Sequence, residues 1–600
     1  MSGKGESKAG GKAKPTTKAE KKPLPARGGK GGRGGKKGGG SWLRWPFRLI
    51  GLVLVMAAGA VLWLDQQNPF FNDLGWLAIA PALYALLSMK VDWASVALGV
   101  LAAAGWGYAA PSPKGPVPVK LMVMGVDGAT FEIVDTHRDQ LPNFQALKKD
   151  GTRGVLTSME PMFSPLLWTT MASGRPPDEH GIRGFNVHSN DCQVARFWDV
   201  AEDKGMSVGL YKWLVDYPPR SFKTGGFWVP SWLAPDVHTW PAELSIVKEV
   251  ELSKRLRRKQ VASKDSAPMQ ALRLAQQGVR LSTMVKAARW SWRERFDHPD
   301  TVTVNVEMQK LRGWIDHDVF IAWLHREKPQ LATFNYYATD GLAHLYWDRY
   351  EKGGTEVLEA YEQADAILGD IRAQLSPDTR FILVSDHGFK AMDGKGLAGQ
   401  FAPLTERLKA RLGTQGFTGV DVSKVGHKLT VAFGDAGQRD AVHTFLVGLA
   451  DGAGNPFYKV EEVAGSNQTF GLTLADEAIT AERLKSDTVS GEPIADYVKL
   501  TDAYTGTHKE NGVVFLAGPG VEAGKELPPQ AMLDVAPTIL AAMGLPASKE
   551  MTGKPIVFPE AGARVDDYDT LILSLPWLTG SEGVNEEQLK QLGYIDDGKK

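Results

Sequence analysis

The chain has 600 residues, 43% of them hydrophobic and 23% charged, which suits a large folded body with accessory segments and excludes a wholly disordered chain. Its formal net charge of zero conceals an asymmetry: residues 1–48 hold fourteen of the 69 Lys and Arg but only two acidic residues, Glu6 and Glu20, leaving 55 basic against 67 acidic residues beyond them. A single cysteine, Cys192, rules out an intramolecular disulfide and a cysteine-based structural zinc site, so any metal must be held by His and carboxylates.

Residues 1–45 form a basic tail of Lys, Gly, Ala, Pro and Ser, nearly free of apolar side chains as far as residue 41. Such a segment buries too little surface to offset its ordering entropy and is read as disordered. GGKGGRGGKKGGG resembles an RGG-like or histone-like nucleic-acid arm, whereas the following apolar stretch favours a solvated cytoplasmic arm beside anionic lipid. Residues 46–110 contain three apolar stretches, Leu49–Leu64, Gly75–Met89 and Trp93–Ala110. Three transmembrane helices are expected, with the middle one, which contains Pro81, the weakest and open to a re-entrant reading. The basic tail stays cytoplasmic under the positive-inside rule, so three crossings place everything after Ala110 on the outer side and two would place it inside.

After a Pro-rich linker, 111–118, the texture changes to alternating strand and helix signals over an expected catalytic domain, 119–580, with a tail at 581–600. Leu121–Val126 is a short apolar run ending in Asp-Gly, as expected of a buried parallel strand; Leu331–Tyr337, Phe381–Ser385 and Gly512–Ala517 are similar runs. A helical pattern over Thr355–Leu375 precedes one of them. The class is α/β, with a mostly parallel central sheet flanked by helices. Two insertions interrupt it: a charged, helix-rich one at about 240–325, and one at 405–500 with a strand at Lys428–Phe433 and a helix at Gln438–Gly448.

In an open α/β sheet, ligands bind beyond the carboxyl ends of the strands. The polar residues there are Asp127, Asp340 with His344 four positions on, and the adjacent Asp386 and His387; His508 precedes the last strand, and Ser164 lies in SPLLWTTMASG. Singly each has an ordinary explanation: a turn, a chance pair on one helix face, a helix cap. Together they supply three carboxylates, three imidazoles and a hydroxyl, a ligand set that two divalent zinc-type ions accept and that suits phosphoryl transfer. Thr169, Thr170 and Ser173 compete with Ser164 for the nucleophile's role. His180 is read as a turn brace, and Asp316-His317-Asp318 as a solvated helix face. Trp228, Trp232 and Trp240 either line a substrate cap or pack the core.

The motifs GVDGATF, LPNFQALKKDGTRG, SPLLWTTMASGRPPDEHGIRGF, YYATDGLAH, VSDHGF and GTHKENGVVFLAGPGV, followed by DVAPTILAAMGLP and MTGKPI, resemble the type I phosphodiesterase/nucleotide pyrophosphatase family of the alkaline phosphatase superfamily over roughly residues 118–555. The resemblance implies an alkaline-phosphatase-like fold and two divalent ions, zinc with manganese as the alternative. Asp340, His344 and His508 would hold one ion, and Asp127, Asp386, His387 and the Ser164 oxygen the other. It also implies in-line attack of Ser164 on phosphorus and release of the covalent intermediate by water. Nucleotide-cleaving relatives often have Thr at the nucleophile and Asn three residues later; Ser164 and Leu167 stand there, which argues against nucleotides. Ser164-Pro165-Leu166 also lacks the C/S-x-P-x-R pattern of a sulfatase. The expected activity is therefore a membrane-anchored, extracytoplasmic phosphodiesterase or phosphatase acting on a phosphate ester. The alternatives are a transferase of phosphoglycerol or phosphoethanolamine groups and a non-catalytic scaffold whose tail binds nucleic acid.

Overall fold

The computed structural model describes residues 115–580, except 186, 257–264, 298, 393–400, 426–427, 464–465, 476–482, 501–504 and 578–579. The basic tail, the three apolar stretches, most of the linker and the C-terminal tail 581–600 lie outside the described residues. No helix among the described residues is long and apolar enough to cross a membrane.

The central sheet has nine strands: β1 Leu121–Val126, β2 Thr152–Thr157, β3 Val208–Tyr211, β4 Gly226–Val229, β5 Leu331–Tyr336, β6 Arg380–Val384, β7 Asn511–Ala517, β8 Lys525–Glu526 and β9 Gln530–Ala531. Their order is β8–β2–β7–β6–β1–β5–β3–β4, with β9 also pairing β2. β1 sits between β5 and β6, parallel to both, with Val126 level with Tyr336 and Gly125 with Val384. This shared register brings the residues that follow the three strands out at one edge. The run Gly512–Ala517 departs from its expected direction: β7 lies antiparallel to both β6 and β2. An apolar run reports burial on both faces, which a central strand has in either direction, so the sequence pattern carries no sign for it.

Every residue of β1 is buried, and the pleat sends alternate side chains to opposite cores. Met122, Met124 and Val126 pack with the helices Pro142–Asp150, Thr301–Glu327 and Glu356–Gln374. Leu121 and Val123 pack with Ser164–Ser173, Phe197–Asp203 and Val535–Met543. The result is a three-layer α/β/α body. The first insertion is helical as expected, with helices Ser245–Leu256, Ala267–Gln276, Leu281–Phe296 and Thr301–Glu327. The second builds its own small core around Leu408, Val431, Val442, Leu446 and Phe470. There an antiparallel sheet of Tyr458–Glu462, Thr469–Leu474, Lys428–Ala432 and Asp421–Val425 carries the helices Thr405–Thr414 and Arg439–Val447.

Phe515 of β7 is fully buried, with its ring 5.4 Å from that of Phe131 and 6.1 Å from that of Phe144. Truncation removes that packing and leaves a cavity, so Phe515→Ala should lower the unfolding free energy by about 3–5 kcal/mol, read as a lower midpoint in guanidinium denaturation.

Candidate metal centre and active site

Asp127 follows β1 directly and turns the chain through Gly128, whose φ of +69° and lack of Cβ are both needed: a Cβ there would meet the Phe389 ring at 2.9 Å. Asp386 and His387 follow β6, and the strand Gly388–Ala391 then pairs antiparallel with Gly506–Lys509. That pairing sets His508 opposite Phe389 and stacks its ring on His387, with centroids 3.5 Å apart. Asp340 and His344 lie one turn apart on the helix Ala338–Glu351, with His344 Nε2 3.3 Å from Asp340 Oδ1. Four separate stretches of chain thus deliver six buried ionisable side chains to one point.

The geometry is that of a ligand set. His508 Nε2 is 3.3 Å from Asp340 Oδ1, and His387 Nε2 is 3.4 Å from Asp127 Oδ1, 3.5 Å from Asp386 Oδ2 and 3.9 Å from Asp340 Oδ1. Two groupings of this kind stand out, Asp340–His387–His508 and Asp127–Asp386–His387, with His387 common to both. Each imidazole meets a backbone carbonyl through Nδ1: His344 at Gly506 O (3.2 Å), His508 at Met162 O (2.8 Å) and His387 at Gly388 O (3.2 Å). A carbonyl only accepts, so Nδ1 carries the proton in all three rings and the Nε2 lone pairs turn inward. His344 Nε2 and His508 Nε2 face each other at 2.9 Å. Two such lone pairs repel unless a proton or a cation lies between them.

The buried polar atoms left without hydrogen bonds include Asp127 Oδ1, Asp340 Oδ1, both carboxylate oxygens of Asp386 and His387 Nε2. All are donors to a metal, and a hard or borderline divalent ion suits this oxygen and nitrogen set. The residues therefore fit a metal centre. Burial, with the charges of Asp386 and Asp340 adding to it, raises the Asp127 pKa well above the carboxylate range. Burial likewise pushes Asp386 up to about 7. Asp340 goes the other way, because the adjacent His344 and His508 outweigh its burial. His387 is held well below the usual imidazole range, first by burial and then by His508.

Ser164 opens the helix Ser164–Ser173, where Pro165 costs nothing because a first-turn N–H has no helical partner. The helix is tied to the centre on both sides of this residue. Met162 O receives the His508 proton, and Trp168 Nε1 donates to Asp127 Oδ2 at 3.3 Å. Hydrogen bonding separates the competing hydroxyls. Thr169 donates to Pro165 O, Thr170 to Leu166 O and Ser173 to Thr169 O, at 2.7–3.0 Å. Ser164 Oγ is buried with no partner. A cleft of about 560 Å³ runs past Met162, Phe163 and His508 to the sheet of the second insertion at Leu429 and Leu472, with Lys390 and Glu462 also on its wall.

His180 sits as expected away from the cluster, fully buried. Ile182 N donates to its Nδ1 (3.1 Å), so its Nε2–H points to Thr170 Oγ1 (3.0 Å) and the ring braces the turn. Asp316-His317-Asp318 corrects the expectation of a solvated face: all three are buried. Asp316 pairs with Lys212 at 2.7 Å, His317 Nε2 lies 3.1 Å from Asp370, and Asp318 accepts from Arg280 N and Thr283. Charge on a helical insertion reads as solvent exposure, but the packing of Thr301–Glu327 across β3–β5 turns that side inward. Trp228 is core and Trp240 packs on Phe222, while Trp232 lines a small cavity beside Asp340. Sequence reasoning passed over Trp168 and Thr339, whose hydroxyl donates to Asp127 O at 2.5 Å. Both lie inside the quoted motifs, which is the one signal that marked them.

A parallel-sheet body with a buried Asp/His cluster at its strand ends defines a metallohydrolase type of site. The sequence model of the type I phosphodiesterase / nucleotide pyrophosphatase family matches residues 121–431, more than half of the chain, and the chain belongs to that family. It is accordingly a hydrolase acting on phosphoric ester bonds. Comparison with curated proteins found no match to the chain.

Burial, with Arg183 nearby, holds the His180 pKa down at about 3, against 6.5 for a free imidazole. The folded value lies below the unfolded one, so the stability this residue contributes is full above pH 6.5 and lost as pH falls toward 3. His180→Gln should be less stable than wild type at pH 8, and the gap should narrow steadily as pH is lowered through that window in urea unfolding.

Proposed function

We propose that the chain hydrolyses phosphate esters by attack of Ser164 Oγ on phosphorus. The Oγ–P bond forms as the bond to the leaving alcohol breaks, and water then cleaves the phospho-seryl ester. In this reading Asp340, His344 and His508 hold one divalent ion, and Asp127, Asp386, His387 and Ser164 Oγ hold the second. Such ions, zinc or alternatively manganese, would lower the serine pKa and offset charge on the phosphoryl oxygens. The chain's own contribution is positional. Backbone carbonyls fix the three imidazoles, Trp168 orients Asp127, and the helix Ser164–Ser173 presents its positive end to an anion. The observation that carries the reading is the unbonded Ser164 Oγ at the start of a helix anchored to Asp127 and His508. Leu167, fully buried, offers no donor where an amide would grip a phosphoryl oxygen.

We also propose that Leu49–Leu64, Gly75–Met89 and Trp93–Ala110 anchor the chain in a membrane with the catalytic body outside the cytoplasm. The basic tail and the absence of Lys or Arg in the first loop, 65–74, support this orientation.

Ser164→Ala should lower turnover of a bis-aryl phosphate by roughly 10³-fold or more while metal content by elemental analysis stays near that of wild type; unchanged turnover removes Ser164 from the role. Chelation should abolish turnover and lower the thermal midpoint, with zinc restoring both, since a ligand bound only by the folded state stabilises it. A topology reporter fused after Ala110 should be active outside the cytoplasm, and activity inside alone rejects the three-span arrangement.

A further inference from the structure

Exposed apolar side chains are concentrated in the helical insertion. Among the described residues six large apolar side chains are exposed, and four of them stand on two consecutive helices. These are Met269 and Leu272 on Ala267–Gln276, and Trp292 (64%) and Phe296 (55%) on Leu281–Phe296. Trp292 and Phe296 are one turn apart, with ring centroids 4.4 Å from each other. At about 100° per residue, Ala288, Arg289 and Arg295 fall within about 60° of Trp292 on the helix surface, and all three are exposed. One arginine therefore flanks the two rings on either side. Glu294, the only acidic residue of the helix, falls on the far side, as does the buried Trp290. The outward face is aromatic and basic.

These two arginines are not engaged elsewhere. Neither takes part in an ion pair among the described residues, whereas Arg273 is held by Glu249 and Asp265, and Arg293 by Glu307. An aromatic pair between uncompensated guanidinium groups suits a boundary that is apolar on one side and anionic on the other. The position of the helix in the body points the same way. The chain enters the body at Val117, whose N–H donates to Gln374 O at 2.7 Å. Gln374 Nε2 donates to Asp370 at 3.2 Å, and Asp370 accepts at 2.7 Å from Arg280, the residue immediately before the helix. The helix thus starts beside the point where the linker joins the body and extends about 24 Å from it. Residues 111–116 span about 20 Å when extended, so a surface that holds Ala110 comes within reach of the helix.

We infer that the helix Leu281–Phe296 docks on an anionic phospholipid surface. Trp292 and Phe296 enter the headgroup layer, and Arg289 and Arg295 pair with lipid phosphates. The inference rests on the membrane-anchored reading above for the nearness of a bilayer. It goes beyond that reading by naming the face of the body that lies on the lipid and the charge of the lipid it takes.

The test uses the full-length protein reconstituted in vesicles, with Ala288→Cys carrying a nitrobenzoxadiazole label; Cys192 is buried and leaves the introduced thiol as the reactive one. In phosphatidylcholine mixed with phosphatidylglycerol, the emission should shift to the blue and be quenched by lipids bearing a doxyl group on the acyl chain. In phosphatidylcholine alone, quenching should be weak. Arg289→Glu combined with Arg295→Glu should lower the ratio of docked to undocked label by roughly tenfold or more, while turnover of a bis-aryl phosphate stays unchanged. A label at Lys525→Cys, exposed on β8, should stay in water throughout. A label at residue 288 that stays in water in both vesicles overturns the docking. So does a blue shift that ignores both the doxyl group and the lipid charge, since a second copy or another stretch of this chain then covers the helix. Retention in phosphatidylcholine vesicles after alkaline extraction reads the anchor separately. Retained protein with label 288 in water overturns the docking and leaves the anchor standing. Protein lost on extraction, with label 288 quenched only beside phosphatidylglycerol, does the reverse.

Discussion

Mutual repulsion among Asp127, Asp340 and Asp386 is the constraint around which the catalytic body is arranged. All three are buried, with His387 Nε2 within 3.9 Å of an oxygen from each. Two unit charges about 4 Å apart repel by about 4 kcal/mol at an effective dielectric near 20. The protein supplies no Lys or Arg to these carboxylates among the described ion pairs; it supplies imidazoles turned with their lone pairs inward. Burial first, and neighbouring carboxylates after it, raise Asp127, and burial raises Asp386; their unbonded oxygens and the inward lone pairs suit divalent cations.

The surrounding fold holds that cluster by hydrogen bonds and strand register together. Every imidazole is pinned through Nδ1 by a backbone carbonyl, from another segment for His344 and His508 and from the next residue for His387, and the Met162 carbonyl that pins His508 stands two residues before Ser164. The segment that leads into Ser164 is therefore tied to the Asp/His cluster. Trp168 makes the reciprocal link, since its ring N–H reaches Asp127 from the same helix. Direct hydrogen bonds thus tie the helix that Ser164 opens to the Asp/His cluster at the sheet edge.

The body and its insertions contribute different cavity walls. The Asp/His cluster lies at the strand ends, the insertion sheet at Leu429 and Leu472 walls one cleft, and the helical insertion lines an apolar cavity of its own. The buried Lys212–Glu251–Asp316 ion pairs join the helical insertion to the end of β3. A buried network of this kind adds little net stability but sets geometry, since breaking one partner leaves another charge unpaired.

The sequence by itself determined the α/β class, the two insertions and the residues that gather at the strand ends. Apolar runs bounded by Asp-Gly or Asp-His report strands buried on both faces, and a D-x-x-x-H spacing reports one helix face, whatever the rest of the chain does. The direction of β7, the burial of Asp316-His317-Asp318 and the hydrogen bonds that engage Thr169, Thr170 and Ser173 but not Ser164 Oγ were decided only by the tertiary structure. Each depends on what lies across space: which strand is the neighbour, which sheet face covers a charged helix, and which carbonyl takes up a hydroxyl. Local pattern encodes periodicity and composition; partner identity over hundreds of residues, such as Met162 with His508, arises only when the chain is packed.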